Sequence, residues 1–443
     1  MLTRDEAFKI CETLLAHTKS AGAEDASVSV SGSVQSHARF ADNRITTSGH
    51  AEDLQINVTV WVDKRRGSVS GNDAGADALK RMAEDAVQIA RVSPVHREYV
   101  PTLGPVEYPE SRSFNESTAQ VDVDARASAL LAALDACRRE NVTGAGFHIA
   151  NASARAAATA NGNRRYFRTG EGSFSMTART ADGTGSGYYS GDHFDLARLD
   201  VPRIATEAVN KAVGSQGPKA IEPGTYAVIL EPEAVANLLG FLGNSLDARN
   251  AEEGRSAFAA KDGKTRVGEK MFSERITLYS DPHHPELPVI PATGEGIAAT
   301  RLPLISNGAL QNLEYSRFWA QERQVSPTPG PVNYILESSG QAVSRDEMIK
   351  TTKRGLLITR FWYVRLVDPR TIMLTGLTRD GLWLVENGEI RHPVRNLRFN
   401  QSVLAMLAPW NVEAVGASER RSPFMVPSLK LASFTFTSMS DAI

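Results

Sequence analysis

Apolar and polar positions near the start of the chain follow first a helical and then an extended spacing. Thr3 and Glu6 form a capping-box pattern ahead of apolar residues at helical spacing, which predicts a helix over residues 4–19. From Leu54 to Val62 apolar and polar residues alternate, which predicts a strand with one buried face. Shorter strands are predicted over residues 27–32, 38–40 and 68–70.

A second helical pattern runs from Asp77 to Val92 and ends just before a proline. The next segment, residues 94–109, contains four prolines and is predicted to be a linker. Because two helices enclose a run of strands, the sequence predicts a first α+β domain over residues 1–95. Its helices are expected to cover one face of an antiparallel sheet.

The middle of the chain repeats this succession of helix, strands and helix. Apolar spacing predicts one helix over residues 124–140 and another from Val201 to Val213. Residues 144–189 between them contain several strand patterns. A break rich in Gly and Pro follows the second helix, and we place a domain boundary there. The second predicted domain, of α/β type, therefore spans residues 110–217.

The remainder of the chain is dominated by short strand patterns separated by Gly and Pro turns. A strand is predicted from Tyr226 to Glu231 and a helix from Glu233 to Leu246. Two further strand patterns run from Leu356 to Val367 and from Leu382 to Val385. We therefore predict a β-rich, barrel-like C-terminal domain over residues 222–443, and an α+β fold for the whole chain.

A tight turn is predicted at Asn387 and Gly388, between the last of these strand patterns and Ile390. In a type I′ turn both central residues have positive φ, a conformation that Asn and Gly adopt at low cost. The sequence therefore predicts a β-hairpin across this turn.

Composition and charge narrow the function classes. Apolar residues make up 42% of the 443 residues and charged residues 23%, so a stable core is expected. The formal net charge of −2 argues against direct nucleic-acid binding. Cys11 and Cys137 are the two cysteines, which suits a reducing compartment. Since no stretch is apolar enough to span a bilayer, we expect a cytoplasmic protein without membrane contact.

The sequence lacks the motifs of the common hydrolases and nucleotide-binding proteins. None of the nine histidines is followed by glutamate, so no H-E-x-x-H metal motif is present. No C-x-x-C, G-x-S-x-G or P-loop pattern occurs either. The residue patterns by themselves therefore predict neither a catalytic residue nor a metal ligand.

Two short segments could carry chemistry, and a structural role is predicted for both. In residues 281–286, His283 and His284 are adjacent in an extended segment, so their side chains point to opposite faces and do not suit one ion. An exposed, proline-stiffened loop is predicted there. Residues 183–191 contain four glycines without a strand–helix context for phosphate binding. A flexible hairpin tip is predicted.

The C-terminal half carries a group of arginine, aromatic and acidic residues: Arg360, Trp362, Arg365, Arg379 and Asp380. Arginine and aromatic residues are common anchors of interfaces. They also cover β-barrel cores, with arginine stems packed on aromatic faces. Interface or cleft residues and structural cover both remain open interpretations.

Several segments are similar to the TldD/PmbA family, which is linked to metal-dependent proteolysis. Residues 228–234, followed by an apolar helix, resemble the entry to the family's C-terminal domain. Residues 355–393 give the most specific match. A loose similarity lies over residues 23–71, and tighter ones lie over residues 254–268 and 294–310. The resemblance extends over most of the chain and implies the family's fold.

The resemblance also implies where a zinc site would fall. In the peptidase members the apolar helix carries H-E-x-x-x-H, and a distant cysteine completes the site. Leu239, Gly240 and Asn244 stand at those three positions here, and no cysteine follows Cys137. These side chains cannot replace imidazole or thiolate ligands. The chain is therefore identified as a member of the PmbA (TldE-like) branch, with zinc expected only in a TldD-like partner.

This resemblance implies a non-catalytic subunit of a heterodimeric metallopeptidase, acting with a TldD-like subunit on peptides or unfolded protein segments. The β-rich composition permits a peptide to bind as an added strand. The alternative is a self-associating peptide- or protein-binding protein, such as a homodimer, without a proteolytic role. A stand-alone hydrolase without zinc has no supporting motif. Nucleic-acid contact, suggested by the family's association with DNA gyrase modulation, is disfavoured by the charge balance.

Overall fold

A computed structural model describes residues 1–440. Its first elements are α1 (Arg4–Ala21), β1 (Asp25–Ala41), β2 (Arg44–Val62), β3 (Arg65–Gly71) and α2 (Ala76–Val92). Both predicted helices are confirmed, and the capping box is formed, because Thr3 and Glu6 each accept a hydrogen bond from the other's backbone N–H. The strands predicted over residues 27–32 and 38–40 are one continuous strand.

The next elements extend the same sheet. They are α3 (Glu116–Ala119), α4 (Val123–Arg139), β4 (Val142–Thr159), β5 (Arg164–Thr180), β6 (Ser186–His193), a 3-10 turn (Leu196–Arg198) and α5 (Val201–Gly214). β4 pairs with β1, so one six-stranded antiparallel sheet has the order β3-β2-β1-β4-β5-β6. This sheet contains strands from both the 1–95 and the 110–217 regions. The division of the chain into three domains, at residues 1–95, 110–217 and 222–443, stays a prediction.

The glycine-rich segment 183–191 is not a flexible tip, because β6 occupies most of it. α5 packs directly on this strand. A Cβ atom at Gly187 would lie 2.2 Å from the carbonyl oxygen of Ala208 in α5. Glycine is therefore required at this position by the close approach of a helix to the strand.

The proline-rich segment 94–109 is fixed at both ends. Asp25, buried at the start of β1, accepts hydrogen bonds from the Tyr99 hydroxyl at 3.0 Å and the Thr102 backbone at 2.7 Å. Farther along, the Tyr108 hydroxyl donates to the carbonyl oxygen of Gly296 in the second half of the chain. The segment therefore holds the sheet against the C-terminal part.

One face of the sheet is apolar and lies under the helices. Ile56, Val58 and Val60 of β2 are fully buried beneath α1 and α2, as the alternating pattern predicts. A second core, under α4 and α5, contains Phe40 and Phe174. The opposite face is polar, and it forms part of the site described below.

The second half of the chain builds a barrel. Its elements are β7 (Thr225–Leu230), α6 (Pro232–Gly243), α7 (Ala248–Glu252), a 3-10 turn (Lys261–Gly263), β8 (Ile276–Ser280), β9 (Leu302–Ser306), β10 (Ala309–Leu310), α8 (Arg317–Arg323), β11 (Tyr334–Ser338), α9 (Arg345–Lys350), β12 (Arg354–Asp368), β13 (Met373–Glu386), β14 (Glu389–Pro393), β15 (Leu397–Ser402), α10 (Val403–Met406), β16 (Val412–Arg421) and β17 (Phe424–Met439). β7, β12, β13, β15 and β17 pair in a closed circuit, because β17 returns to β7. The barrel-like prediction is confirmed, and α6 shares the barrel's apolar core.

The hairpin predicted at Asn387 and Gly388 is present between β13 and β14. Both residues have positive φ, 52° and 80°, as a type I′ turn requires. The strand predicted from Leu382 to Val385 is longer, since β13 begins at Met373. The chain is an α+β protein, and no helix within residues 1–440 has the length and apolarity that a membrane span needs.

Candidate functional site

Helix α6 presents the three positions that the resemblance assigns to a zinc motif. Leu239 is fully buried in the barrel core. Gly240 faces Phe424, whose ring would lie 3.5 Å from a Cβ atom at that position. Asn244 is the exposed C-cap residue of the helix. The structure therefore places the three positions in the core, under an aromatic ring and at the surface.

Two stacked aromatic rings cover the C-terminal half of α6. The rings of Tyr334 and Phe424 have centroids 5.6 Å apart, and a Cβ atom at Gly243 would lie 2.5 Å from the Tyr334 ring. Burial, assisted by the negative charge of Glu314, raises the pKa of Tyr334 to about 12, so its hydroxyl stays protonated. Among residues 1–440, no three His, Cys, Asp or Glu side chains gather in a way that could hold a metal ion.

Four of the five residues singled out on β12 and β13 come together at the junction of the two sheets. Asp380 is buried, and it accepts a hydrogen bond from Arg360 at 2.6 Å. The Arg379 guanidinium lies 3.7 Å from the same carboxylate and 5.0 Å from the centroid of the Trp362 ring. On the opposite side, Tyr188 of β6 stacks 3.7 Å from the Arg360 guanidinium. The group therefore joins the barrel to the six-stranded sheet within one chain.

The fifth residue, Arg365, lies apart on the far end of β12, where it borders exposed apolar side chains. Tyr363 is 65% exposed and Val367 is 60% exposed. Tyr363 also has a positive φ of 52° at an irregularity in the pairing of β12 with β13. An aromatic residue in this conformation is rare. Trp362 and Leu366 are exposed beside them. We call residues 362–367 the β12 patch.

Residues 281–286 were predicted to form an exposed loop, but most of them are buried or half-buried. The two histidines of this loop are half-buried, and the His284 side chain is only 12% exposed. Glu286 accepts a hydrogen bond from Arg198 at 2.9 Å, so the loop docks near the end of β6. Asn333 holds its beginning by accepting from the Asp281 backbone at 2.8 Å. Burial of the loop follows from these contacts, which sequence spacing does not reveal.

A large cleft lies between the polar face of the six-stranded sheet and loops of the barrel half. Its volume is about 1020 Å³. Its floor consists of alternate residues of β1, β2, β4 and β5, and its roof of residues 288–294, 330–332 and Glu314. The sequence pattern alone does not reveal this cleft. The alternation in β2 showed a polar face, but alternation does not tell whether that face meets solvent or another part of the chain.

The cleft contains charged groups that lack full compensation. Burial raises the pKa of Glu314, and the nearby negative charges of Asp247 and Glu295 raise it further. The pKa of Glu171 is also raised, first by its position away from bulk water and then by Asp192. Carboxyl groups with such shifts favour a nearby positive charge.

Two sequence profiles match this chain. One, described as the PmbA/TldA metallopeptidase C-terminal domain, matches residues 223–438, which contain the barrel strands. The other, described as PmbA/TldA metallopeptidase domain 1, matches residues 26–90 of the six-stranded sheet and its helices. The chain belongs to the PmbA/TldD family.

Individual relatives of the PmbA/TldD family match along nearly the whole chain. Metalloprotease PmbA of Escherichia coli O157:H7 is 24% identical over 443 aligned positions, which cover 94% of each protein. The structure of TldE from Thermococcus kodakarensis has a TM-score of 0.86 at 20% identity, covering 97% of this chain and 100% of that one. A Thermotoga maritima protein, named as a candidate modulator of a DNA gyrase, has a TM-score of 0.85 at 19% identity, with the same coverage. At these identities the structural likeness concerns the fold.

Proposed function

We propose that this chain is the non-catalytic subunit of a heterodimeric metallopeptidase, pairing in the cytoplasm with a TldD-like subunit that holds the zinc. The observation that carries the proposal is that the surface of α6 is covered by other side chains at the positions of the zinc motif. Leu239 lies in the core, and Phe424 with Tyr334 covers Gly240 and Gly243. Zinc needs nitrogen, sulfur or oxygen donors. Leu239, Gly240 and Phe424 provide none, and the Tyr334 hydroxyl stays protonated because its pKa is raised to about 12.

The proposed contribution of this chain is to bind and position substrate. Substrates would be peptides or unfolded protein segments, and the cleft between the sheet and the barrel half has the volume for an extended segment. The partner's zinc would activate water for peptide hydrolysis. Holding a substrate in a reactive geometry lowers a catalytic barrier substantially. A chain without catalytic groups can therefore control both the rate and the choice of cleavage.

The β12 patch supports the pairing part of the proposal. Contiguous exposed aromatic and aliphatic side chains on a strand favour burial against another protein surface. Arg365 borders the patch with its guanidinium 5.7 Å from the Tyr363 ring. An arginine beside aromatic residues is a common combination at interfaces.

The test is elemental analysis together with peptide cleavage by this chain, by the TldD-like subunit of the same organism, and by their mixture. We expect about one zinc ion per pair in the co-eluting complex, from a single three-ligand site. We expect cleavage by the mixture, sensitive to chelators, to exceed cleavage by either subunit alone. Stoichiometric zinc bound to this chain in isolation, or chelator-insensitive cleavage by it alone, would contradict the proposal.

The same experiment separates the runner-up, a self-associating binding protein without a proteolytic role. The β12 patch would then bury against a second copy of the chain. A stable homodimer in light scattering, without co-elution with the TldD-like subunit and without a gain in cleavage, would favour this alternative.

A further inference from the structure

The floor of the cleft has neutral hydrogen-bonding side chains between differently charged ends. On β5, Arg165 lies at one end of the cleft and Glu171 at the other, with Phe167 and Thr169 between them. The two charged residues are six positions apart along the strand, a distance of about 20 Å at about 3.3 Å per residue. The neighbouring strands add Ser29, Ser31, Gln35, Gln55, Asn57 and Asn151 to the floor.

At the basic end, two guanidinium groups lack acidic partners. Arg155 of β4 lies directly opposite Ser31 of β1 and Phe167 of β5. No hydrogen bond or ion pair involves the Arg155 side chain in the described part of the chain. Arg165 donates to the side-chain oxygen of Asn163 at 3.0 Å, and that amide carries no charge. Arginine matches carboxylate geometry through paired N–H donors, so this end suits an acidic group.

At the acidic end, Glu171 is short of positive charge. The Ser422 hydroxyl donates to it at 3.2 Å. The Arg420 guanidinium, which also lines the cleft, forms an ion pair with Asp192 and offsets the charge of Glu171 only in part. Burial in the cleft raises the pKa of Glu171, and the negative charge of Asp192 raises it further. An ammonium or guanidinium group of a ligand would supply the missing charge.

The two central strands of the floor have their backbone groups paired on both sides. β1 pairs with β2 and β4, and β4 pairs with β1 and β5. A ligand on this face therefore cannot extend the sheet as an added strand, and side chains must recognise it. Hydroxyl and amide side chains lose hydrogen bonds when they are covered by an apolar ligand. A polar ligand keeps those bonds.

We propose that the cleft selects extended hydrophilic peptide segments with an acidic end and a basic end about six residues apart. The acidic end of the peptide lies at Arg155 and Arg165 of the cleft, and the basic end of the peptide lies at Glu171. This inference deepens the proposed function by naming the substrate class of the same cleft. It rests on that function only in taking a peptide as the ligand.

The test is fluorescence anisotropy with the purified chain and a labelled ten-residue peptide. The probe has two aspartates at one end, two lysines at the other and six Ser, Asn and Gly residues between, with both termini blocked. Two comparison peptides have the same charges interleaved along the chain, or Leu and Phe in place of the central polar residues. We expect the probe to bind at least about tenfold more tightly than either comparison peptide, a difference of about 1.4 kcal/mol.

The salt dependence of probe binding tests the proposal on the wild-type chain, without any substitution. At about 1 M salt the screening length falls to about 3 Å, so attraction between the probe and the charged ends weakens. We expect the affinity of the probe to drop several-fold at that ionic strength. An affinity unchanged by salt, or equal for the probe and the interleaved peptide, would overturn the proposal, as would tighter binding of the apolar peptide.

The decisive variant is Arg155→Glu, since the Arg155 side chain has no hydrogen bond or ion pair to lose within the described residues. We expect it to weaken binding of the probe at least about tenfold and to strengthen binding of a peptide with lysines at both ends. The matched control is Arg44→Glu, an exposed arginine at the start of β2 away from the cleft, which should leave both affinities unchanged. Equal behaviour of the two variants would overturn the assignment of the basic end.

The outcome is distinguishable from failure of the proposed function. Probe binding uses this chain alone, whereas the proposed function is tested by zinc content and cleavage in the mixture with a TldD-like subunit. Selective probe binding without a gain in cleavage would support the charge-selective cleft and contradict the role as an accessory subunit. A gain in cleavage without charge selectivity in binding would support the accessory role and contradict the charge-selective cleft.

Discussion

Asp380 carries the most strongly enclosed charge at the junction between the two halves of the molecule. Its side chain is fully buried and is shared by Arg360, Arg379 and the hydroxyl of Ser186, which belongs to β6. The Arg360 side chain is itself only 12% exposed. Removing one partner of a buried ion pair leaves the other charge buried without compensation.

We therefore expect Asp380→Asn to lower the free energy of unfolding by about 3–5 kcal/mol. Urea denaturation of the purified chain measures this change. The control is Asp346→Asn, because the Asp346 side chain is 78% exposed and its pair with Arg345 is long, at 3.9 Å. A surface pair of this kind contributes about 0–1 kcal/mol. Similar losses for the two variants would show that Asp380 does not tie the halves together.

His148 makes stability depend on pH. Burial, assisted by the positive charge of Arg126, lowers the pKa of His148 to about 4. In the unfolded chain the histidine takes up a proton below about pH 6.5, whereas the folded chain resists it. Stability is therefore lost as the pH falls from about 6.5 to about 4, by up to about 3 kcal/mol at about 1.4 kcal/mol per unit.

His148→Phe should flatten this part of the pH profile, since phenylalanine cannot bind a proton and fits beside Phe174. Urea midpoints between pH 4 and about 7 give the measurement. His50→Phe is the comparison variant, because it makes the same chemical change at a side chain that is 55% exposed. A wild-type profile that stays flat over this range would contradict the argument.

At the scale of elements, the contact of α5 with β6 depends on the absence of a side chain at Gly187. A Cβ atom there would meet both the Ala208 oxygen and the Ala212 nitrogen, at 2.2 and 2.3 Å. We expect Gly187→Ala to lower the free energy of unfolding by about 1–3 kcal/mol, because helix and strand must separate. Gly340→Ala is the control, since its Cβ atom meets nothing within 4 Å. It should be neutral or slightly stabilising.

Helices and strands with regularly spaced apolar residues could be predicted from the sequence. The pairing and packing of these elements with one another could not. The helices at 4–19, 77–92 and 124–140 were predicted close to their observed bounds, because each buries a regular apolar face. The strand from Leu54 to Val62 was predicted only in its second half, since β2 begins at Arg44. The pairing of β1 with β4 joins residues more than a hundred positions apart, and local spacing contains no information about it. The same limit hid the cleft. Arg155 and Glu171 are recognisable as a set only once the sheet is assembled.

At the scale of the whole molecule, the β12 patch predicts where a second subunit docks. Val367→Asp should weaken binding to the TldD-like subunit at least about tenfold, because a buried charge without a partner opposes association. Val92→Asp is the control, since Val92 is even more exposed, at 84%, and lies on α2 away from the patch. Titration by light scattering or calorimetry distinguishes the two variants. Equal affinities would place the interface elsewhere.

The pairing of β17 with β7 affects how the protein folds during its synthesis on the ribosome. The barrel's first strand begins at Thr225, and the strand that closes the barrel ends at Met439, more than two hundred residues later. The six-stranded sheet is complete by His193 and can form while translation continues. The barrel cannot close until β17 has been synthesised, so its unpaired strands are exposed to chaperones, proteases and neighbouring nascent chains during that interval.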